Sequence, residues 1–177
     1  MAPRNILRLS RFLSVITLIL MVATPVCIIA FWLIAPSDLI SSSDAIGGTN
    51  LNFEMTGLKR IGAIVLSAVP LGITLYGLGQ LRRLLGNFSR GAFFSADAVK
   101  ALKRFSAACF YGGLAQILIR AAFSLLFTYD NPPGQKAVAI SISSNDVFVL
   151  LFSGVFLLIA SIMAEGRKIA AENAEII

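Results

Sequence analysis

Four long apolar runs, separated by short polar segments, constrain this chain more than any other feature of its sequence. They cover residues 12–35, 61–81, 105–129 and 147–164, and three of the four contain no charged residue. An α-helix needs about 20 apolar residues to cross the roughly 30 Å hydrocarbon core of a bilayer. Because a backbone in lipid must satisfy its own hydrogen bonds, each run predicts a transmembrane helix.

The composition agrees with a membrane protein. Of the 177 residues, 57% are hydrophobic and only 14% are charged, whereas soluble domains average about 45–50% and about 25%. The sequence therefore predicts an all-α membrane protein of one domain, residues 1–177. Its four transmembrane helices are expected to pack as a bundle and to contact the lipid bilayer.

The distribution of Lys and Arg predicts the orientation of the four spans. Cytoplasmic segments next to transmembrane helices carry an excess of these residues. Lys59, Arg60 and Lys136 lie on one side, against eleven basic residues on the other side. Both termini and the segment between spans two and three are therefore predicted to be cytoplasmic, in a multi-pass inner-membrane protein. The eleven are Arg4, Arg8, Arg11, Arg82, Arg83, Arg90, Lys100, Lys103, Arg104, Arg167 and Lys168.

The residues needed for common enzyme chemistry are missing from the sequence. It contains no histidine, and its two cysteines, Cys27 and Cys109, lie in apolar runs without a C-x-x-C partner. Histidine is the commonest metal ligand and general base, and isolated apolar cysteines indicate packing. We expect no enzymatic activity, no metal and no cofactor. Because the basic residues lie between apolar runs, we also expect no direct contact with nucleic acid.

The segment between spans two and three predicts a helical hairpin with a basic surface. Span two is expected to continue to about Phe88, Gly91 to form a turn, and Ser95 to cap a helix that has Asp97 in its first turn. The basic residues suit either anionic lipid headgroups or a cytoplasmic protein. The candidate contacts, with two from the C-terminal tail, are Arg82, Arg83, Arg90, Lys100, Lys103, Arg104, Glu172 and Glu175.

Arg120 is the ionisable residue that lies inside a span. It is 16 residues beyond Arg104, so about 24 Å further along a helix, in the outer third of the bilayer. Gln116 lies one turn inward on the same face. An intramembrane charge indicates a functional site by default. The structural interpretation is that Arg120 reaches the headgroups or pairs with Asp130 or Asp146.

The two loops on the predicted outer side, residues 36–60 and 130–146, leave a choice between plain connections and a small hairpin. The alternating run 138–142 favours a short strand, with Leu51 and Phe53 as a potential partner. Loops of this length also occur as plain connections. Ser144 or Asn145, before Asp146, is expected to cap the last helix.

Three segments together resemble a known family. They are LLGNFSRGAFFSADAVKALKRF at 84–105, NDVFVLLFSGVFLLIASIMAEG at 145–166 and RKIAAENAEII at 167–177. In order and spacing they resemble the bacterial membrane family called domain of unknown function 2975. That resemblance implies four helices and no assigned enzyme activity. Members are often encoded beside a small Cro-type helix-turn-helix regulator, which implies a role as its membrane partner or sensor.

Two classes of function therefore remain open at the level of sequence. The first is a non-enzymatic membrane partner for a cytoplasmic helix-turn-helix regulator, docked on the basic segment and the tail. The second is a small lipid- or solute-handling membrane protein or an oligomeric channel, for which the chain would form a homo-oligomer.

Overall fold

A computed structural model of the protein describes residues 4–43, 53–132, 138 and 140–174. These residues contain no β-strand, so the pair of strands considered as one alternative is absent from the described part of the loops; Leu51 lies outside it. Phe53 instead stacks on Phe127, with ring centroids 4.6 Å apart. The helices are α1 (Arg4–Ile34), α2 (Ser37–Ser41), α3 (Gly57–Ser89), α4 (Ala96–Thr128) and α5 (Ser144–Ala174).

The four long helices confirm the four predicted spans. Each contains a stretch long and apolar enough to cross a membrane. They are 31 or 33 residues long, which corresponds to roughly 50 Å at 1.5 Å per residue. Since the hydrocarbon core is about 30 Å thick, the helix ends extend beyond it. The short helix α2, in the loop between α1 and α3, was not predicted.

The long helices pack in the order in which they follow one another in the chain. Helix α1 packs on α3, α3 on α4, and α4 on α5, each pair antiparallel; within the described residues no close backbone approach joins α1 to α5. The predicted bundle is therefore an open row. Much of the apolar surface of α1 and α5 is left exposed, including Val22, Leu33, Leu151 and Ile162. Such a surface is suited to contact with lipid rather than water.

Small residues allow α3 and α4 to approach closely at the centre of the row. A Cβ atom on Gly77 would lie 3.2 Å from the Cβ of Ala108, and one on Gly112 would lie 3.3 Å from Cγ2 of Ile73. Either distance is at the tight limit for carbon atoms. Helices in membranes use small residues for this purpose, because dispersion contacts between them replace the hydrophobic effect.

Two buried clusters lie at the two ends of the row, where an end of the row means one of the two faces at which the long helices begin or finish, not the outermost helix. At one end Trp32, Ala63, Phe123 and Phe127 join α1, α3 and α4, and Trp32 Nε1 donates to Ser67 Oγ at 2.7 Å. At the other end a second cluster joins α3, α4 and α5. It consists of Leu84, Ala98, Ala101, Leu102 and Ala160.

The hairpin between α3 and α4 confirms the sequence-based prediction closely. Helix α3 ends at Ser89, and Gly91 has a φ of 77°, a left-handed conformation that glycine adopts without strain. Ser95 caps α4, because its Oγ accepts from the Ala98 N–H at 3.1 Å. Asp97 lies in the first turn of that helix, near the positive end of its dipole.

Candidate functional site

Arg120 of α4 forms a buried ion pair with Asp146 of α5. Nη1 donates to Asp146 Oδ2 at 2.7 Å and Nη2 donates to Asp146 Oδ1. Both side chains are nearly inaccessible, 6% and 4% exposed. Nη1 also donates to the Ser141 carbonyl oxygen at 3.1 Å. The two side chains therefore meet in the bidentate arginine–carboxylate geometry, whose charge-assisted hydrogen bonds are roughly twice as strong as those between neutral groups.

Asp146 is held in turn by the first turn of α5. Its Oδ2 accepts from the Ser143 N–H at 2.7 Å and from the Ser143 hydroxyl at 3.0 Å. The Asp146 N–H donates to Ser143 Oγ at 3.3 Å. This reciprocal arrangement is a capping box, so Ser143 caps α5, and the prediction of Ser144 or Asn145 was wrong by one or two positions. The S-x-x-D spacing is the sequence signal that identifies the cap.

The structure decides between the two partners predicted for Arg120. Asp130 bonds instead to Lys59, whose Nζ lies 2.7 Å from Asp130 Oδ1 and donates to the Phe127 carbonyl oxygen at 3.0 Å. Lys59 is only 1% exposed. Of the two carboxylates predicted as partners, Arg120 therefore bonds to Asp146.

Arg60, beside Lys59, binds the end of α1. Its Nη1 donates to the carbonyl oxygens of Trp32 at 2.6 Å and Leu33 at 2.9 Å, and its Nη2 donates to that of Ala35 at 3.2 Å. The last carbonyls of a helix have no partner within it, so Arg60 satisfies them and joins α1 to α3. Sequence reasoning placed Lys59 and Arg60 at a membrane edge but did not identify these bonds.

A cavity of about 600 Å³ lies between α3, α4 and α5, and is here called the interhelical cavity. Arg120, Asp146 and Ser141 line one end of it, and Gln116 lies one turn further along α4, as the helical spacing predicts. Two buried polar atoms among the described residues have no hydrogen-bond partner: Arg120 Nε and Ser141 Oγ. Both belong to residues that line this cavity.

A second apolar cavity, of about 420 Å³, lies between α1, α3 and α4. Cys27, Trp32 and Ser67 line it, and Thr74 and Gln116 line both this cavity and the interhelical cavity. The two predicted intramembrane polar residues are thus placed together on one cavity, and Gln116 also reaches the other.

A third cavity opens at the far end of the row and is here called the basic cleft. It has a volume of about 690 Å³ and lies between α1, α3 and α4. Ser14 and Met21 of α1 form one wall. Among the described residues that line it, Asp97 alone is acidic. The basic residues around it are Arg82, Arg83, Arg90, Lys100 and Arg104.

The structure brings five of the eight predicted docking residues to this cleft. Lys103 is exposed on α4 but does not line the cleft. Glu172 lies in α5, with its side chain outside what the structure describes, and Glu175 lies beyond the described residues. The described residues hold no cluster of three or more His, Cys, Asp or Glu side chains that could bind a metal ion.

Comparison with known proteins gives one family. The sequence model of the family described as "Protein of unknown function (DUF2975)" matches residues 7–177, nearly the whole chain. This match confirms the resemblance drawn from the three sequence segments. Neither the curated proteins nor the solved structures gave a match.

Proposed function

We propose a function for this chain, which belongs to the DUF2975 family of proteins of unknown function: it is a non-enzymatic protein of the bacterial inner membrane that holds the headgroup of an anionic phospholipid in its basic cleft. The observation that carries the proposal is the cleft itself, where five basic side chains, four from α3 and α4 and Arg90 from the turn between them, surround a volume of about 690 Å³. Basic pockets between transmembrane helices at the cytoplasmic face are typical sites for such headgroups.

The orientation belongs to the same proposal. The three segments rich in Lys and Arg lie at the end of the row that carries the basic cleft, and the positive-inside rule puts that end in the cytoplasm. A reporter that is active only in the cytoplasm, inserted between residues 86 and 95, should be active. The same reporter at Gly47 should be silent, and activity there would reverse the orientation.

The shape of the cleft favours a lipid headgroup over a flat protein partner. Its walls come from three helices, and Met21 of α1 places apolar surface beside the charges. A phospholipid offers a phosphate to the cations and acyl chains to the apolar wall. Each basic residue near an anionic surface contributes about 1 kcal/mol, so five together give selectivity for anionic over neutral lipid.

The test compares lipid retention by the full-length protein in vesicles that contain equal amounts of phosphatidylglycerol and phosphatidylcholine. We expect the purified protein to retain phosphatidylglycerol preferentially, and Lys100→Gln with Arg104→Gln to reduce that preference. Lys103→Gln, on the same helix but outside the cleft, is the matched control and should leave it unchanged. Equal retention of the two lipids by the unmodified protein would exclude the headgroup site.

A second candidate is the membrane partner of a helix-turn-helix regulator that the family resemblance implies. It is supported by the exposed side chains beside the cleft, Lys103 and the 68% exposed Phe94, together with the extension of α5 to Ala174. Small docking surfaces combine an aromatic anchor with surrounding charge.

Crosslinking in native membranes separates this candidate from the lipid site. We expect a helix-turn-helix protein among the crosslinked partners, and we expect Lys103→Glu with Phe94→Ala, or truncation after Lys168, to remove it. A partner set that neither change alters would exclude the regulator and leave the lipid site unaffected. A homo-oligomer stays a prediction, to be measured by the mass of the protein in a bilayer mimetic.

A further inference from the structure

We infer that Gln80 is a specificity-determining residue of the basic cleft: its side-chain amide donates to an ester carbonyl oxygen of a diacyl phospholipid, while Lys100 and Arg104 bind the phosphate of the same molecule. The inference rests on the lipid site proposed for this cleft and adds the part of the lipid that the cleft distinguishes. Gln80 separates a phospholipid with ester-linked chains from one with ether-linked chains and from a soluble phosphate compound.

Gln80 is a buried polar residue in the wall of the basic cleft. It is only 5% exposed, and it lines the cleft from α3. Among the residues that the structure describes, none forms a hydrogen bond with its side-chain amide. A buried amide without a partner is unfavourable, because it has given up its bonds to water. A ligand oxygen that accepts from this amide restores the missing bond.

The amide of Gln80 is open to a ligand in the cleft. Arg120 Nε and Ser141 Oγ are sealed within the protein, whereas the Gln80 amide keeps accessible surface at the cleft wall. Gly79, next to it, also lines the cleft, and a Cβ atom at Gly79 would meet no heavy atom of another helix within 4 Å. The space beside Gln80 is therefore not filled by protein, and a lipid oxygen has room to reach the amide.

The order of the lining residues along the cleft matches the order of groups in a phospholipid. Helices α3 and α4 are antiparallel about the turn at Gly91, from which Gln80 is 11 positions away and Arg104 is 13. Gln80 and Arg104 therefore lie at similar depths, and Lys100 lies one helical turn nearer the mouth. In a bilayer the phosphate of a lipid lies nearer the water than its ester carbonyls, by about the length of the glycerol unit. A phosphate at Lys100, also reached by the long side chain of Arg104, thus puts an ester carbonyl at the depth of Gln80.

Beyond Gln80 the cleft has an apolar wall at the depth where acyl chains begin. Trp32 of α1 bonds to Ser67 of α3, so these two positions lie opposite each other. Counted from this bond towards the mouth of the cleft, Met21 is 11 positions away on α1 and Gln80 is 13 positions away on α3. Met21 therefore lies slightly deeper than Gln80. An acyl chain can lie against Met21, whereas a soluble phosphate compound has no group to place there.

The chemistry of the amide suits the ester and not the phosphate. A phosphate is an anion, and the cations of the cleft already match its charge. An ester carbonyl is a neutral acceptor, so it needs a donor but no counter-charge, and an amide N–H supplies one without burying a further charge near the hydrocarbon. An ether-linked lipid has no carbonyl oxygen and leaves the amide unpaired.

The experiment measures lipid binding by native mass spectrometry of the full-length protein in an alkyl maltoside, a detergent without a carbonyl group. The protein is offered equal amounts of dipalmitoyl phosphatidylglycerol and its dihexadecyl ether analogue, which has the same headgroup and chain length but no carbonyl. We expect about three- to tenfold stronger binding of the diester, the effect of one hydrogen bond. Excess glycerol 3-phosphate should not displace it.

One variant and a matched control test the role of Gln80. Gln80→Met keeps the length of the side chain and removes an amide that has no protein partner, so the fold should be retained. It should abolish the preference for the diester but keep the preference for phosphatidylglycerol over phosphatidylcholine. Asn87→Leu also removes an amide that lines the cleft from α3, about two turns nearer the mouth, and should leave the diester preference unchanged.

Four results would overturn the inference and leave a site for anionic phospholipid in place. They are equal binding of diester and diether by the unmodified protein, an unchanged diester preference in Gln80→Met, an equal fall in both variants, and a loss of the phosphatidylglycerol preference in Gln80→Met, which would put the amide on the phosphate. Displacement by glycerol 3-phosphate would overturn it by showing that phosphate alone supplies the affinity. Equal retention of phosphatidylglycerol and phosphatidylcholine by the unmodified protein is a different result, which excludes the headgroup site and this inference with it.

Discussion

Positively charged side chains are bonded and mostly buried at one end of the helical row and exposed at the other. At the end that contains Arg120, each of three cations, Lys59, Arg60 and Arg120, is bonded to a carboxylate or to backbone carbonyls. At the other end the cations are exposed, and within the described part of the chain no ion pair holds Lys100, Lys103 or Arg104. The first set stabilises the fold, and the second set is available to a ligand or partner.

This difference follows from the number of acids near each set. Asp130 and Asp146 lie beside Lys59 and Arg120, one carboxylate for each. In the basic cleft, by contrast, Asp97 alone among the described lining residues faces five cations. A buried cation that loses its partner destabilises the protein strongly, whereas a group of exposed unpaired cations repels itself and attracts anions. Substitutions at the end that contains Arg120 should therefore change stability, whereas substitutions at the basic end should change lipid retention.

The largest effect is expected from removal of one partner of the buried ion pair. Asp146→Ala leaves the guanidinium of Arg120 without its counter-charge in a nearly inaccessible site, which should destabilise the protein by about 3–5 kcal/mol. This loss of stability is measured from the midpoint of thermal unfolding in detergent. The double variant Asp146→Ala with Arg120→Leu should recover much of the loss, because it leaves no unpaired charge. A double variant less stable than Asp146→Ala would contradict this account.

A smaller loss is expected from Lys59→Met. The change keeps the apolar stem but removes the ammonium that bonds the Phe127 carbonyl and Asp130, so we expect a loss of about 1–3 kcal/mol in stability. Asp130 is 42% exposed and regains water, which keeps the loss below that of Asp146→Ala. The midpoint of thermal unfolding ranks the two variants. A Lys59→Met variant as unstable as Asp146→Ala would show that the exposure of Asp130 does not reduce the loss.

Arg120→Lys should cost less again. A lysine keeps the positive charge next to Asp146 but has one terminal nitrogen in place of the two of the guanidinium. It therefore loses one of the two parallel hydrogen bonds and the planar geometry that fixes α5 against α4. We expect a loss of about 1–1.5 kcal/mol, together with correct membrane insertion. Unfolding midpoints equal to those of the unmodified protein would show that charge alone is sufficient.

The smallest change in stability is expected at the basic end. Lys100→Gln and Arg104→Gln replace exposed side chains, so each should alter the free energy of unfolding by no more than about 0.5 kcal/mol. Phosphatidylglycerol retention should nevertheless fall, as described for the basic cleft. A stability loss comparable to that of Asp146→Ala would show that these residues maintain the fold and would remove the contrast between the two ends.

Much of the fold could be predicted from the sequence, because the determinants are local. A run of about 20 mostly apolar residues forms a helix where water is excluded, and the Gly91 turn with the Ser95 cap depends on residues close to each other in the sequence. The α5 cap was missed by one or two positions only because Ser143, Ser144 and Asn145 are all acceptable caps. The described residues of the loops 36–60 and 130–146 contain no strand, which shows how weak a five-residue alternation is as a signal.

The site could be predicted only in part, because its pairings are long-range. The sequence identified Arg120, offered Asp130 and Asp146 as partners, and grouped the basic residues by membrane side. It did not separate Lys103 from the cleft, since Lys100, Lys103 and Arg104 are close in sequence and only the position of α3 and α1 decides which of them face it. Ser141 carried no signal, as nothing in its neighbourhood distinguishes it from other loop serines.

The sequence by itself determined four helices long and apolar enough to cross a membrane, the hairpin between α3 and α4, and the end of the row at which most of the positive charge collects. Tertiary structure alone decided that the row stays open, that Arg120 bonds to Asp146 while Lys59 bonds to Asp130, and that Arg120 Nε is buried without a hydrogen-bond partner. The physical reason is the range of the interactions. Hydrophobic length and capping act within a few residues, whereas an ion pair between helices exists only after packing fixes both side chains in one place.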